Sequence, residues 1–198
     1  MAIDLFKPLA YSLALILIAL AWVLKYRAAR RGRKYSAGRQ SICTDNKFKV
    51  LGQMIFVAMN ALTLASFWTD SRILFLFGKG DALRLTGVVV LVAATLLYAR
   101  SLRQLGDNYS PCFDAHLPFR IVTNGPYGYI RHPLYLANIL QGVGYILTSC
   151  CLWVLLLAGY GISFVIRSLV REESYLVKKF PEYEPYRAKT SRLIPFIY

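Results

Sequence analysis

Residues 134–166 read LYLANILQGVGYILTSCCLWVLLLAGYGISFVI, 33 residues without an Asp, Glu, Lys, Arg or His. At about 1.5 Å per helical residue the run is ~50 Å long, too much for one crossing of a ~30 Å hydrocarbon core and barely enough for two. The spacing predicts a tight helical hairpin that turns near Thr148–Cys151. Pro133 suits the first helical turn, where its missing N–H costs nothing. Polar clusters stand at both ends of this run. Arg131 and His132 precede it, and Arg167, Arg171, Glu172 and Glu173 follow it. A hairpin returns the second cluster to the side of the first, so the two read as one site.

Upstream, three further apolar runs are candidate spans: Leu5–Leu24, Val50–Thr69 and Leu85–Ala99. The first lacks a small-residue cleavage site before its basic flank, so it reads as a retained span rather than a signal peptide. The third is short, with Arg84 and Arg100 placed to snorkel at its ends. Asp70 to Arg84 reads as a short outer connection whose apolar piece Ile73–Phe77 suits the interface. Lys25 to Lys49 holds nine Lys or Arg against one Asp. Cationic loops stay on the cytoplasmic side, which puts the N-terminus outside and the C-terminus inside. Of the 24 Lys and Arg, all but Lys7, Arg72, Lys79 and Arg84 then lie on the cytoplasmic side.

The expected fold is an all-α polytopic membrane protein with about five transmembrane helices. Residues 1–104 carry the first three spans and the basic loop. Residues 105–198 carry the long loop, the hairpin, a cytoplasmic C-terminal helix over Arg167–Phe180 and an irregular tail. The 57 % apolar composition fits this class. The net charge of +14 is the orientation signal of such a chain, not the footprint of a nucleic-acid partner. Cys43, Cys112, Cys150 and Cys151 show no Cys-x-x-Cys spacing and read as small apolar filler.

The chain holds no P-loop, no dinucleotide glycine fingerprint, no metal-ligand spacing and no serine nucleophile motif. Cys112 near His116 supplies only two candidate ligands. What remains is ionisable residues at a membrane boundary, which mark a functional site by default. The stretch from Ser101 to Arg131 is rich in turn formers, and its aromatic residues argue against disorder. On the last helix Leu169, Glu173, Leu176, Val177 and Phe180 share one face. Glu173 therefore sits on an apolar stripe, where a carboxylate requires a partner. Arg167 and Arg171 share another face. Spacing alone supports a structural ion-pair network equally with an active site.

Two motif groups carry a resemblance. Ile121-Val122-Thr123-Asn124-Gly125-Pro126-Tyr127 followed by Arg131-His132-Pro133-Leu134-Tyr135 is the first. Glu172-Glu173 with Leu176, Phe180, Tyr183 and Tyr186, closed by Leu193-Ile194-Pro195-Phe196-Ile197, is the second. Together they resemble the isoprenylcysteine carboxyl methyltransferase family and the related phospholipid N-methyltransferases. The resemblance covers roughly 105–198. It implies an integral membrane methyltransferase that uses S-adenosylmethionine without a Rossmann domain. The cofactor-binding residues it implies are Ile121, Val122, Tyr127, His132, Pro133, Tyr135 and Glu172, with Glu172 on a polar group such as the amino group. The family's substrate-facing arginine position is Ser168 here, which leaves Arg167 and Arg171 as the neighbouring candidates.

The implied reaction is in-line methyl transfer to a lipid-like acceptor entering from the bilayer. Proximity and alignment do most of the work, because the leaving group is already activated. A carboxylate acceptor, an isoprenylcysteine above all, needs an arginine and no base. An amine acceptor, as on a phospholipid, needs a base, for which Glu173 is the candidate. The expected partners are the bilayer and the lipid or prenylated acceptor, with neither metal nor nucleic acid. Two other readings are an NADPH-dependent relative of the sterol reductases, whose chains are much longer, and a non-catalytic membrane subunit.

Overall fold

The computed structural model describes residues 12–13, 16–17, 19–28, 30–31, 41–43, 46–68, 81–110, 115–116, 118 and 120–195. The expectations for most of the first run, for 32–40, for Ile73–Phe77 and for 196–198 lie outside them. Among the described residues the fold is helical apart from an isolated bridge between Ile130 and Ser191 and one small pairing, in which β1 (Ser41–Cys43) runs antiparallel to β2 (Ala115–His116). The main helices are α1 (Asn46–Trp68), α2 (Asp81–Leu105), α3 (Pro133–Ser149), α4 (Leu152–Lys179) and α5 (Tyr183–Lys189). Residues 19–28 are also helical.

Among the described residues, two helical stretches are long and apolar enough to cross a membrane, Asp81–Asn108 and Leu152–Lys179. The apolar part of α1, Val50–Ser66, is shorter. Large apolar side chains stand on the outer surface, Val89 and Leu96 of α2 and Trp153 and Leu156 of α4 among them. A soluble domain rarely leaves such surface open, and a lipid-facing one does.

The uncharged run folds as the hairpin its length requires. α3 ends at Ser149, and Cys150 takes the left-handed conformation with φ 52°. Its N–H donates to the Ile146 carbonyl at 2.8 Å, which satisfies one of the carbonyls a helix end leaves open. Cys151 then starts α4 from an extended backbone, its N–H donating to Ser149 Oγ at 3.2 Å.

α2 and α3 form the most extensive helix pair. A Cβ added to Gly87 would lie 2.5 Å from the Thr148 backbone nitrogen, and one added to Gly144 would lie 2.7 Å from Leu91 Cγ. Absent side chains thus bring the two backbones together, the usual way for helices to gain dispersion contacts where lipid is the solvent. α1 packs against both α3 and α4. The central core joins Leu17, Met59, Val88, Leu91, Tyr145, Cys151, Val154 and Ala158. Tyr145 donates to Asn60 Oδ1 at 3.0 Å within it, tying α3 to α1.

Two elements differ from the sequence expectation. α2 outruns the span expected at Leu85–Ala99 by one turn at its start and more at its end, because arginines that snorkel do not stop a helix. It stops at Gly106, whose φ of +55° suits glycine. The tail is not wholly irregular, since Tyr183–Lys189 forms α5.

Candidate active site

The Gly-Pro-Tyr-Gly sequence at Gly125–Gly128 forms a single 3₁₀ turn. Gly125 opens it at φ +61°, with Gln104 so close that an added Cβ would lie 2.9 Å from that side chain's Cγ. The Tyr129 and Ile130 N–H groups both donate to the Pro126 carbonyl at 3.2 Å. His132 follows as the residue before α3, and Pro133 occupies the first helical position.

The tail closes over this turn. Arg131 N–H donates to the Ser191 carbonyl at 2.9 Å and His132 N–H to the Arg192 carbonyl at 3.2 Å. Ser191 N–H returns a bond to the Tyr129 carbonyl at 3.3 Å. Tyr186 adds its hydroxyl to the Tyr127 carbonyl at 2.6 Å. Residues 129–132 and 191–192 are thereby strapped together by backbone, with α5 as the spacer.

Glu173 sits under the strap and is 5 % exposed. Its Oε1 accepts from Arg131 Nε at 2.8 Å and from the Tyr183 hydroxyl at 3.2 Å, and lies 3.3 Å from His132 Nε2. Its Oε2 pairs with Arg192 Nη2 at 2.8 Å. Arg131 Nη1 also donates to the carbonyls of Arg187 and Thr190. A carboxylate oxygen only accepts, so the His132 contact requires the proton on Nε2. The partner that the apolar stripe demanded is thus a knot of two guanidiniums, an imidazole and a phenol. Arg192 is the member that sequence spacing did not point to. Its place depends on how the tail folds back.

Glu172, one residue earlier, faces a different space. It lines a pocket of about 770 Å³, counted to its opening on solvent, together with Ile121, Val122, Tyr127, His132 and Tyr135. The Tyr135 hydroxyl donates to Glu172 Oε2 at 2.5 Å. The His132 and Tyr135 rings meet edge to face, centroids 5.5 Å apart. Tyr98 near the end of α2, with Asn108, Tyr109, Asn138, Tyr183 and Tyr186, adds six more residues to a wall that Ser110, His116, Arg120 and Arg131 also line. None of these six was a candidate site residue from sequence. Asn108 and Tyr109 enter because the helical stretch extends past its apolar run, whereas Tyr98 lies within that run.

Burial, and then the nearby Glu172 carboxylate, push the Tyr127 phenol well above its ordinary value. Burial pushes Tyr186 up to about 12, and burial with Glu173 raises Tyr183 further. All three are neutral donors at physiological pH and not bases.

Of the sequence candidates, Ile121, Val122, Tyr127, His132, Tyr135 and Glu172 meet at this pocket. Pro133 is fully buried behind it and sets the start of α3. Glu173 lies in the knot. Arg167 and Arg171 do not line the pocket: both are exposed, and Arg167 bonds Ser163 on its own helix, Nη2 to Oγ at 3.0 Å. Among the described residues no group of three or more His, Cys, Asp or Glu is placed to hold a metal ion.

Residues 83–183, which hold all but the first two residues of α2, the Gly-Pro-Tyr-Gly turn, the hairpin and both glutamates, match the phospholipid methyltransferase family. The chain belongs to that family. Within this phospholipid methyltransferase match lie Glu172, Tyr135 and the 3₁₀ turn, while the Arg192 strap falls beyond it. Two curated relatives are similar over a shorter stretch. The nickel-cobalt-cadmium resistance protein NccN of Alcaligenes xylosoxydans xylosoxydans is 35 % identical over 79 residues, 38 % of this chain and 36 % of that one. The cobalt-zinc-cadmium resistance protein CzcN of Cupriavidus metallidurans is 34 % identical over 79 residues, 38 % of this chain and 35 % of that one. The aligned stretch thus spans about a third of the length of these relatives.

Proposed function

We propose that the protein is an integral membrane methyltransferase that transfers a methyl group from S-adenosylmethionine to a lipid-like acceptor at the membrane boundary. The observation that carries this reading is the Glu172 carboxylate, oriented by the Tyr135 hydroxyl at 2.5 Å, at the wall of an aromatic-lined pocket. The pocket suits that cofactor on two counts. Its tyrosine faces attract a cationic sulfur. Its one pocket-facing carboxylate matches an ammonium group, and Ile121 and Val122 offer apolar wall to a purine.

In the mechanism, S-adenosylmethionine supplies an activated methyl group. The chain binds and aligns. Glu172 holds the amino group, and Tyr135 fixes the carboxylate rotamer. The Glu173 knot positions Arg131 and His132 and seals the strap, which keeps that wall of the pocket in place. Held between two guanidiniums, Glu173 is a poor proton acceptor, so we assign it a positioning role in place of a basic one. Proximity supplies the rate.

For the acceptor, the pocket wall favours an amine. Its phenol groups attract a cation, whereas Arg167 and Arg171 lie off the pocket and Arg131 on its wall is held by Glu173 and two carbonyls. An amine sheds its proton to the solvent at the pocket mouth. The isoprenylcysteine carboxylate is the second reading, supported by the motif resemblance, and in that case Arg120 at the pocket rim is the arginine in reach.

The proposed topology keeps five spans, with the N-terminus outside and the pocket cytoplasmic. Arg100, Arg103, Arg120, Lys178 and Lys179 all follow or flank the pocket-side ends of α2 and α4, as the positive-inside rule requires. The decisive measurement is titration of S-adenosylmethionine into wild type and Glu172→Gln. A loss of about tenfold or more in affinity with an unchanged melting temperature is expected, and equal affinity refutes the assignment. A labelled-methyl assay on membranes then separates the acceptors, because an ester releases its label in base and an amine does not.

A further inference from the structure

Gln141 is an anomaly in the middle of the bundle. It is 3 % exposed, and neither its Nε2 nor its Oε1 has a hydrogen-bond partner among the described residues. An orphaned amide costs several kcal/mol where no water competes. A leucine would fill the same volume without that cost. Retaining an amide there calls for a ligand that satisfies it in another state of the protein.

The amide lines a narrow void, without room for a water in this state, bounded by Leu17, Ala21, Leu91, Thr95 and Tyr145. Position makes the void informative. On α3, Tyr135 and Asn138 line the large pocket, and Gln141 comes three residues further on. On α2, Tyr98 lines the large pocket, and Thr95 stands one turn deeper. Both helices therefore continue one wall from the pocket down into the bundle. Six residues from Tyr135 to Gln141 correspond to about 9 Å of depth. An aminoglycerophospholipid carries its ester carbonyls at a comparable distance below its amine. Of the described residues at the void, those on the N-terminal side are Leu17 and Ala21, an apolar cover that a lipid can part.

We propose that Gln141 is a specificity-determining residue for the acceptor. Its Nε2 donates a hydrogen bond to a backbone carbonyl of a diacyl lipid whose headgroup occupies the pocket above. The inference rests on the lipid-acceptor reading and narrows it to lipids with an ester or amide carbonyl at that depth.

The test uses the full chain in detergent, two probes and two readouts. Native mass spectrometry compares retention of dioleoylphosphatidylethanolamine with that of its diether analogue, which lacks both carbonyls. Methyl transfer to the same two lipids is measured in parallel. Wild type is expected to favour the diacyl lipid by roughly tenfold, the value of one hydrogen bond. Gln141→Leu is expected to lose that preference through KM, with kcat and S-adenosylmethionine affinity maintained and the melting temperature raised by removal of the orphaned amide. A wild type that treats the two lipids alike overturns the proposal even where it methylates both. So does a Gln141→Leu variant that keeps the preference. A retained binding preference without any methyl transfer supports the subsite and refutes the proposed activity.

Discussion

The two ends of the α3–α4 hairpin are held by opposite means. At the Cys150–Cys151 turn the chain closes on itself mainly with backbone bonds and small buried side chains, the Arg84 guanidinium adding a bond to the Cys150 thiol. At the other end four segments meet around Glu173: the turn before α3, α4 itself, α5 and the strap at 191–192. A turn between adjacent helices needs only local geometry. A wall assembled from segments as far as 59 residues apart in sequence needs directional, charged contacts, which fix the pieces and leave a pocket between them.

The comparison breaks most severely at Glu173. Glu173→Gln leaves Arg131 and Arg192 without their shared carboxylate, and removing one partner of a buried ion pair costs about 3–5 kcal/mol. A large fall in melting temperature is expected, with early proteolytic cleavage in 181–195 while the hairpin turn stays protected. A variant that melts like wild type would show that the backbone strap, and not the knot, holds the tail.

The next effect lies on the apolar side. Gly87→Ala places a Cβ 2.5 Å from the Thr148 backbone nitrogen, which has no rotamer with which to yield, so α2 and α3 must separate. Overpacking of this kind costs about 1–3 kcal/mol. Gly144→Ala meets the side chain of Leu91 at 2.7 Å, which can turn aside, and the expected loss is smaller. Equal melting temperatures for the two variants would remove the backbone-approach account.

How much of this was legible depended on what carried the signal. The hairpin and its turn follow from 33 uncharged residues, because hydrocarbon thickness leaves no other solution. The need of Glu173 for partners follows from its place on an apolar stripe. The identity of those partners does not, since Arg192 reaches it through the fold of the tail. Arg171, Glu172 and Glu173 are consecutive on α4 and so point about 100° apart. One is exposed, one lines the pocket and one enters the knot. Sequence spacing separated these three directions without saying which was the pocket. Arg167 and Arg171 entered as candidates through the motif resemblance, whose arginine position is Ser168 here, and Tyr98 carried no such signal.

The smallest expected effect returns to the hairpin turn. Cys150 holds φ 52° with a side chain, a conformation that costs an L-residue about 1–2 kcal/mol relative to the right-handed one. Cys150→Gly removes that strain. It also gives up a buried thiol and adds freedom to the unfolded chain, which together take back about 1 kcal/mol or more. The two nearly cancel, and the melting temperature should move little in either direction. Cys150→Val has no such offset, because a β-branched residue fits the left-handed region worst. Its melting temperature should fall clearly below that of the glycine variant. In both variants S-adenosylmethionine affinity should hold while the protein is folded, since no bond of the turn reaches the pocket. If Cys150→Gly weakened that affinity, the two ends of the hairpin would be coupled along α3, and the division between a backbone-closed end and an ion-held end would fail.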